Sequence, residues 1–227
     1  MGGVKIRLFY KLSGSIRFIQ WRGIARYWYF EKIAVSNTYL EQGEIKSTIG
    51  IKRLREGERI VEIWDGYYED GTLAGIDLVR GEEIPQGVYH LVTQVLVRHE
   101  DGDYLLMRRD PAKPNFGGWW EATAGGAALK GEGSEACARR ELREETGIET
   151  GAFILTHRVV EKGRIYDCYL CVTGWEKSAV VMQQGETVDF RWVGPEEFAA
   201  FLDSEEMIPA QRRRCREEFK KRMERGE

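Results

Sequence analysis

What this chain lacks bounds it before any motif does. No segment approaches 18 uncharged apolar residues, so no transmembrane helix is expected. Cysteine is sparse, with 4 in 227 residues, which rules out a disulfide scaffold. Cys168 and Cys171 are spaced C-x-x-C, but they lie in the apolar run YDCYLCV and no second pair completes a zinc site. An ordinary strand in a reducing cytoplasm is the expected setting. Acids are missing from the start of the chain, the first being Glu31. Residues 1–60 carry a net charge of +7 and the remainder −10, summing to the −3 of the whole. That shift predicts a boundary near residue 60.

What is present is an apolar fraction of 42%, ample for a core. From Val61 the chain is well punctuated. IVEIWDGYYEDGTLAG predicts two strands about an Asp-Gly turn, and RGEEIPQG a turn-rich linker. VYHLVTQVLVRHEDGDYLLMRRD predicts two more strands, turning at Asp101-Gly102. PAKPNFGGWW is a loop. AFILTHRVV, IYDCYLCVTGW and VDFRWV predict three further strands. PEEFAAFL and IPAQRRRCREEFKKRMER predict helices, the second strongly charged. Strands on both sides of a central helix suit an α+β fold, a mixed sheet sandwiched between helices.

The central helix is the informative one. GAALKGEGSEACARRELREETGI, residues 126–148, holds five glutamates, three arginines and one lysine. Ser134 is a plausible N-cap, and Gly147 stands where a C-terminal glycine belongs. Glu141, Glu144 and Glu145 share one helical face, although like charges at that spacing repel. A solvated, salt-bridged helix is one reading, supported by Glu135 before Arg139 and by Arg140 before Glu144. A site for a hard divalent cation is the other.

The stretch resembles the signature of the Nudix hydrolase family, G-x5-E-x7-R-E-U-x-E-E-x-G-U, where U is aliphatic. Gly126, Glu132, Arg140, Glu141, Leu142, Glu144, Glu145, Gly147 and Ile148 fill every fixed place. The seven single-residue requirements are met by chance on the order of 10⁻⁸ per start point at typical residue frequencies. Further matches resemble the subgroup of isopentenyl-diphosphate isomerase: Arg80-Gly81, Pro85, Gly87, Tyr89-His90, Arg108-Arg109, Lys113, the run Trp120 to Gly126, Gln184-Gly185-Glu186 and Arg191-Trp192-Val193. The resemblance covers residues 61–205 and leaves 1–60 outside.

The resemblance implies a Nudix-type α/β/α sandwich that hydrolyses a diphosphate linked to some other group, using Mg²⁺ or Mn²⁺. It implies that Glu141, Glu144, Glu145 and the carbonyl of Gly125 hold the metal. Arg140 would orient Glu141, and Glu132 would serve Arg140 beside Gly126. Glu186 is a candidate general base, and Arg109 and Lys113 are candidate diphosphate contacts. Trp119 and Trp120 border the same loop, where packing competes with stacking on a flat group. The isomerase places metal-binding histidines where this chain has His90 and Ala127, so that site is broken and His90 is expected to be structural. The isomerase also needs a cysteine where Gly125 stands. A catalytically silent binding module and an isomerase remain the alternatives to a hydrolase. The expected partner is a small diphosphate compound; nothing points to nucleic acid, and a homodimer is left open.

Three origins of residues 1–60 stay open: a basic partner-binding module, an organellar presequence, or translation from upstream of the natural start. The last is preferred. Val61 stands where the family usually begins and valine's GTG codon can initiate, while RLREGER just before it reads like a purine-rich ribosome-binding site. The segment also shows no sustained period of 3.6 or 2.

Overall fold

The computed structural model describes residues 62–225, together with four strand segments that precede them. These four form two antiparallel hairpins, β1 (Lys5–Leu12) with β2 (Ser15–Arg22), and β3 (Thr38–Glu41) with β4 (Glu44–Ser47). The chain divides into two compact units, residues 1–60 and 61–227. The suggested origins of residues 1–60 concern segments that lie largely outside the described residues.

The second unit is built on one sheet. Its main path runs β11 (Ala152–Glu161), β12 (Arg164–Thr173), β7 (Tyr89–His99), β5 (Ile63–Tyr67), β6 (Leu73–Val79). On one side, β8 (Tyr104–Arg109) joins β7 and pairs with β13 (Thr187–Val193) and with β9 (Trp120–Glu121), while β10 (Thr123–Ala124) pairs with β7. The β7–β12 pairing is parallel and the rest are antiparallel, so the sheet is mixed as expected. Each strand predicted from Val61 onward is present. The two-residue strands β9 and β10 were not predicted, because two residues carry no period to read.

Alternation along the central strands feeds two cores, since successive strand side chains face opposite ways. Val95, Val97, Leu105 and Met107 pack with Ala138 and Leu142 of α1 (Ser134–Thr146). Leu96, Tyr104 and Leu106 pack with Phe198, Phe201 and Leu202 of α2 (Pro195–Asp203) and with Cys215 and Phe219 of α3 (Pro209–Arg225). Helices therefore cover both faces, the α/β/α arrangement predicted above. Tyr104 stacks on Phe198 with ring centroids 4.2 Å apart, which ties β8 to α2. Among the described residues no helix is long and apolar enough to cross a membrane.

Candidate active site

Helix α1 carries the acidic signature. It ends at Gly147, whose φ of 74° suits glycine and whose N–H donates to the Arg143 carbonyl. Its start corrects the expectation. Gly133 occupies the cap position, and Ser134 lies in the first turn. The Ser134 hydroxyl turns instead to the buried Asp167 at 2.5 Å, an anion that also takes both ends of the Arg158 fork. Asp167 lies on β12, 33 residues away, so this competition for the serine was invisible locally.

Arg140 is the hub. Nε and Nη2 donate to the two carboxylate oxygens of Glu132, each at 2.8 Å, a bidentate fork. Nη1 donates to Glu141 at 2.6 Å and to Glu144 at 3.2 Å, and Nη2 also reaches the Ala127 carbonyl at 3.1 Å. Burial works against the Arg140 charge, but Glu132 and Glu141 outweigh it and hold the guanidinium firmly protonated. Gly126 makes room for this cluster. A Cβ there would lie 2.4 Å from Glu141 Oε1, so any larger residue would push the carboxylate aside. Burial raises the Glu141 pKa, although Arg140 pulls it back.

Glu145 faces a second group of acids. Its carboxylate accepts the Gly125 N–H at 3.3 Å. Burial raises its pKa well above the ordinary range, and the charges of Glu121 and Glu141 raise it further. Glu121 is buried on β9. Arg109 Nη1 donates to both its oxygens at 3.2 Å, and Gln211 of α3 donates at 3.1 Å. Burial raises the Glu121 pKa as well; Arg109 offsets this, while Glu186 adds to it. Lys113 forms an ion pair with Glu186 across 73 residues of chain. Gly125 has no room for a side chain, since a Cβ would meet the Thr93 carbonyl oxygen at 2.0 Å.

Arg140, Glu132, Glu141 and Glu144 thus form one connected cluster. Gly125 and Glu145 open onto another, which Arg109, Lys113 and Glu186 enter through their partners. Arg109 and Lys113 are engaged by Glu121 and Glu186, which the sequence did not suggest. Sequence reasoning missed Glu121, although a carboxylate inside GGWWEATAGG, four residues before Gly125, was a usable signal. It had no means of finding Gln211. Among the described residues no three His, Cys, Asp or Glu side chains converge in ion-holding geometry. The reason is visible: Glu141 and Glu144 turn to Arg140, and Glu145 to an N–H. The donor set nonetheless fits a hard divalent cation. Glu121, Glu141 and Glu145 are buried together. Burial first, with neighbouring carboxylates adding to it, raises the pKa of each, even though Arg109 and Arg140 offset part of the shift for Glu121 and Glu141. A cation among them would therefore be favoured.

His90 is buried, as expected of a structural residue. Its ring lies 4.3 Å from that of Trp64, and Nε2 accepts the Arg164 Nε–H at 3.0 Å, which puts the neutral ring's proton on Nδ1. Burial first, and the Arg164 charge second, lower its pKa from 6.5 to about 4. Stability from the neutral ring is complete above the unfolded value and is lost as pH falls through the folded one. Thermal melts should therefore show the parent losing more stability than His90→Gln as pH drops from about 6.5 to about 4, by on the order of 2 kcal/mol. Parallel curves would show that His90 does not titrate this way.

Known proteins are similar to this chain. The model of the NUDIX domain matches residues 88–218. The uncharacterized Nudix hydrolase lmo0368 of Listeria monocytogenes is 36% identical over 155 residues, spanning 66% of this chain and 89% of that protein. The nucleoside triphosphatase NudI of Salmonella arizonae is 33% identical over 113 residues, spanning 44% of this chain and 79% of its own. The crystal structure of DR0079 from Deinococcus radiodurans superposes with a TM-score of 0.53 at 20% identity, covering 64% of this chain and 91% of that one, a likeness of fold. The chain belongs to the Nudix hydrolase family. Its class of activity is that of a Nudix pyrophosphohydrolase, and enzymes of this family generally use divalent metals.

Proposed function

We propose that residues 61–227 hydrolyse the diphosphate linkage of a nucleoside diphosphate-X or a related small molecule, with Mg²⁺ or Mn²⁺ as cofactor. The observation that carries this reading is the excess of crowded carboxylate on and beside α1. Glu141, Glu144, Glu145 and the Gly125 carbonyl would hold the cation. When bound, it would neutralise the diphosphate charge and acidify a water. Arg140 keeps Glu141 and Glu144 in place and is itself fixed by Glu132. Arg109 and Lys113 are the cations available to diphosphate oxygens. Glu186 is the proposed general base; its pairing with Lys113 gives it a fixed orientation before substrate arrives. A reducing cytoplasm suits the four cysteines, all free and buried.

The test is a screen of purified protein against nucleoside triphosphates, ADP-ribose, dinucleoside polyphosphates and prenyl diphosphates. Cleavage of the phosphoanhydride, read from the phosphomonoester or pyrophosphate products, is expected only with Mg²⁺ or Mn²⁺ and is expected to stop on chelation. Metal-independent cleavage would defeat the reading, and no cleavage of any compound would defeat it in favour of a silent binding module.

Isomerase chemistry is disfavoured by the space around Gly125, which cannot accept the cysteine that reaction needs. Burial also pushes Cys137, the thiol inside the signature helix, up to about 12. A thiol-alkylating agent should leave hydrolysis within about twofold of the untreated rate, because a neutral buried thiol is a poor nucleophile. Isopentenyl diphosphate should not be isomerised. Robust isomerisation would overturn the assignment.

A further inference from the structure

The loop that carries Lys113 also carries an aromatic pair with no role in the chemistry above. Phe116 and Trp119 meet edge to face, ring centroids 5.5 Å apart, and are 43% and 36% exposed. Their neighbour Trp120 differs, since the Arg191 guanidinium lies 4.7 Å from its ring centre.

Backbone pairing fixes where Trp119 stands. The ladder between β8 and β9 pairs Met107 with Glu121 and Arg108 with Trp120. Beyond that pair the ladder gives way to a turn: the Arg109 N–H donates to the Trp119 carbonyl at 2.9 Å, while the Arg109 carbonyl accepts from the Gly118 N–H at 3.2 Å. The end of β8 is thus bonded through Arg109 to both Gly118 and Trp119, which seats the ring-bearing turn against the residue whose guanidinium grips Glu121.

The loop holds this arrangement against local preference. Phe116 has a φ of 56°, a left-handed conformation that a bulky residue rarely adopts. Such a conformation persists only where the surroundings impose it, and it concentrates at ligand clamps. Here the surroundings are identifiable. Arg109 Nε donates to the Asn115 carbonyl at 3.4 Å, Arg108 Nε to the Gly118 carbonyl at 3.2 Å, and the Trp119 N–H to the Phe116 carbonyl at 3.2 Å. Gly117 is packed so closely that a Cβ would meet the Pro111 and Lys113 carbonyl oxygens at 2.5 and 2.8 Å. One loop thus fixes two cations at its base and two rings at its rim.

The size of the surface selects the kind of occupant. Two rings exposed to this degree offer roughly 200 Å². A stable protein partner needs about 800 Å² per side, whereas a heteroaromatic base needs no more than a pair of rings. We propose that Phe116 and Trp119 form the subsite for the planar group of the substrate, a nucleobase, which stacks there while its phosphates lie toward Arg109 and Lys113. The proposal rests on the hydrolase reading for the position of the phosphates only.

Calorimetric titration of the full chain with AMP and GMP, and with ribose 5-phosphate as the same phosphate without a base, tests it. None of the three has a diphosphate linkage to cleave, so binding is read apart from turnover. The parent is expected to bind at least one of the two nucleotides about tenfold or more tightly than ribose 5-phosphate, as one stacked base implies. Trp119→Leu and Phe116→Gly should each remove most of that difference and leave ribose 5-phosphate binding unchanged. Glycine suits the left-handed φ, so Phe116→Gly should melt no lower than the parent. Equal affinities for nucleotide and sugar phosphate in the parent, or nucleotide affinities that neither variant lowers, would overturn the proposal. Ring-dependent nucleotide binding without hydrolysis of any compound would leave the subsite standing and sink the hydrolase reading. Hydrolysis with indifferent rings would do the reverse.

Discussion

Replacing Glu144 or Glu145 by glutamine is expected to lower kcat/KM by at least about 10²-fold, in line with losing a positioned electrostatic group. Glutamine keeps the size of glutamate and removes its charge, so the two variants should fold. They differ in a second readout. Glu144 is 41% exposed and reaches only Arg140, so its replacement should leave thermal stability near that of the parent. Burial first, and the charges of Glu121 and Glu141 second, raise the Glu145 pKa well above the ordinary range. Its neutral replacement should raise the melting temperature of the metal-free protein at neutral pH by removing repulsion. Mg²⁺ should stabilise the parent, as any ligand that prefers the folded state does, and should stabilise Glu145→Gln much less. If both variants turned over substrate like the parent, these carboxylates would not be the metal-binding set.

Arg140→Met is the second substitution with a large expected effect. It removes the cation shared by Glu132, Glu141 and Glu144 and leaves the first two buried without that counter-charge. Breaking a buried pair in this way costs about 3–5 kcal/mol. In a domain of this size that lowers the melting temperature by on the order of 10 °C. Activity should fall further than stability alone explains, because Glu141 loses the group that aims it. Arg140→Lys restores the charge but not the fork, so partial recovery of stability with little recovery of rate is expected. A melting curve for Arg140→Met that matched the parent's would show that the cluster does not hold the helix in place.

The signature was legible because its chemistry is local. Glu141, Glu144 and Glu145 share a face through helical spacing alone, and Arg140 reaches Glu144 across one turn. Ser134 was misread because its hydroxyl had two suitors, and the one that won comes from a strand placed by the sheet. Arg109 and Lys113 read as free cations because their acidic partners are 12 and 73 residues away.

The sequence by itself determined the seven longer strands and the helices from Val61 onward, and many of the turns that end them. Gly71, Gly102 and Gly147 have φ values of 87°, 108° and 74°, conformations that glycine adopts without steric penalty, so turns and helix stop are written locally. Tertiary structure alone decided what meets what. The parallel pairing of β7 with β12 brings together strands with more than sixty residues between their starts, and no local preference specifies a parallel neighbour. Glu121 gains Gln211 from α3 across 90 residues. It comes near Glu145 because it pairs with Met107, whose side chain packs in the same core as Ala138 and Leu142 of α1. The raised pKa values of these carboxylates come from burial and then from neighbouring charge, and only the packed chain sets either.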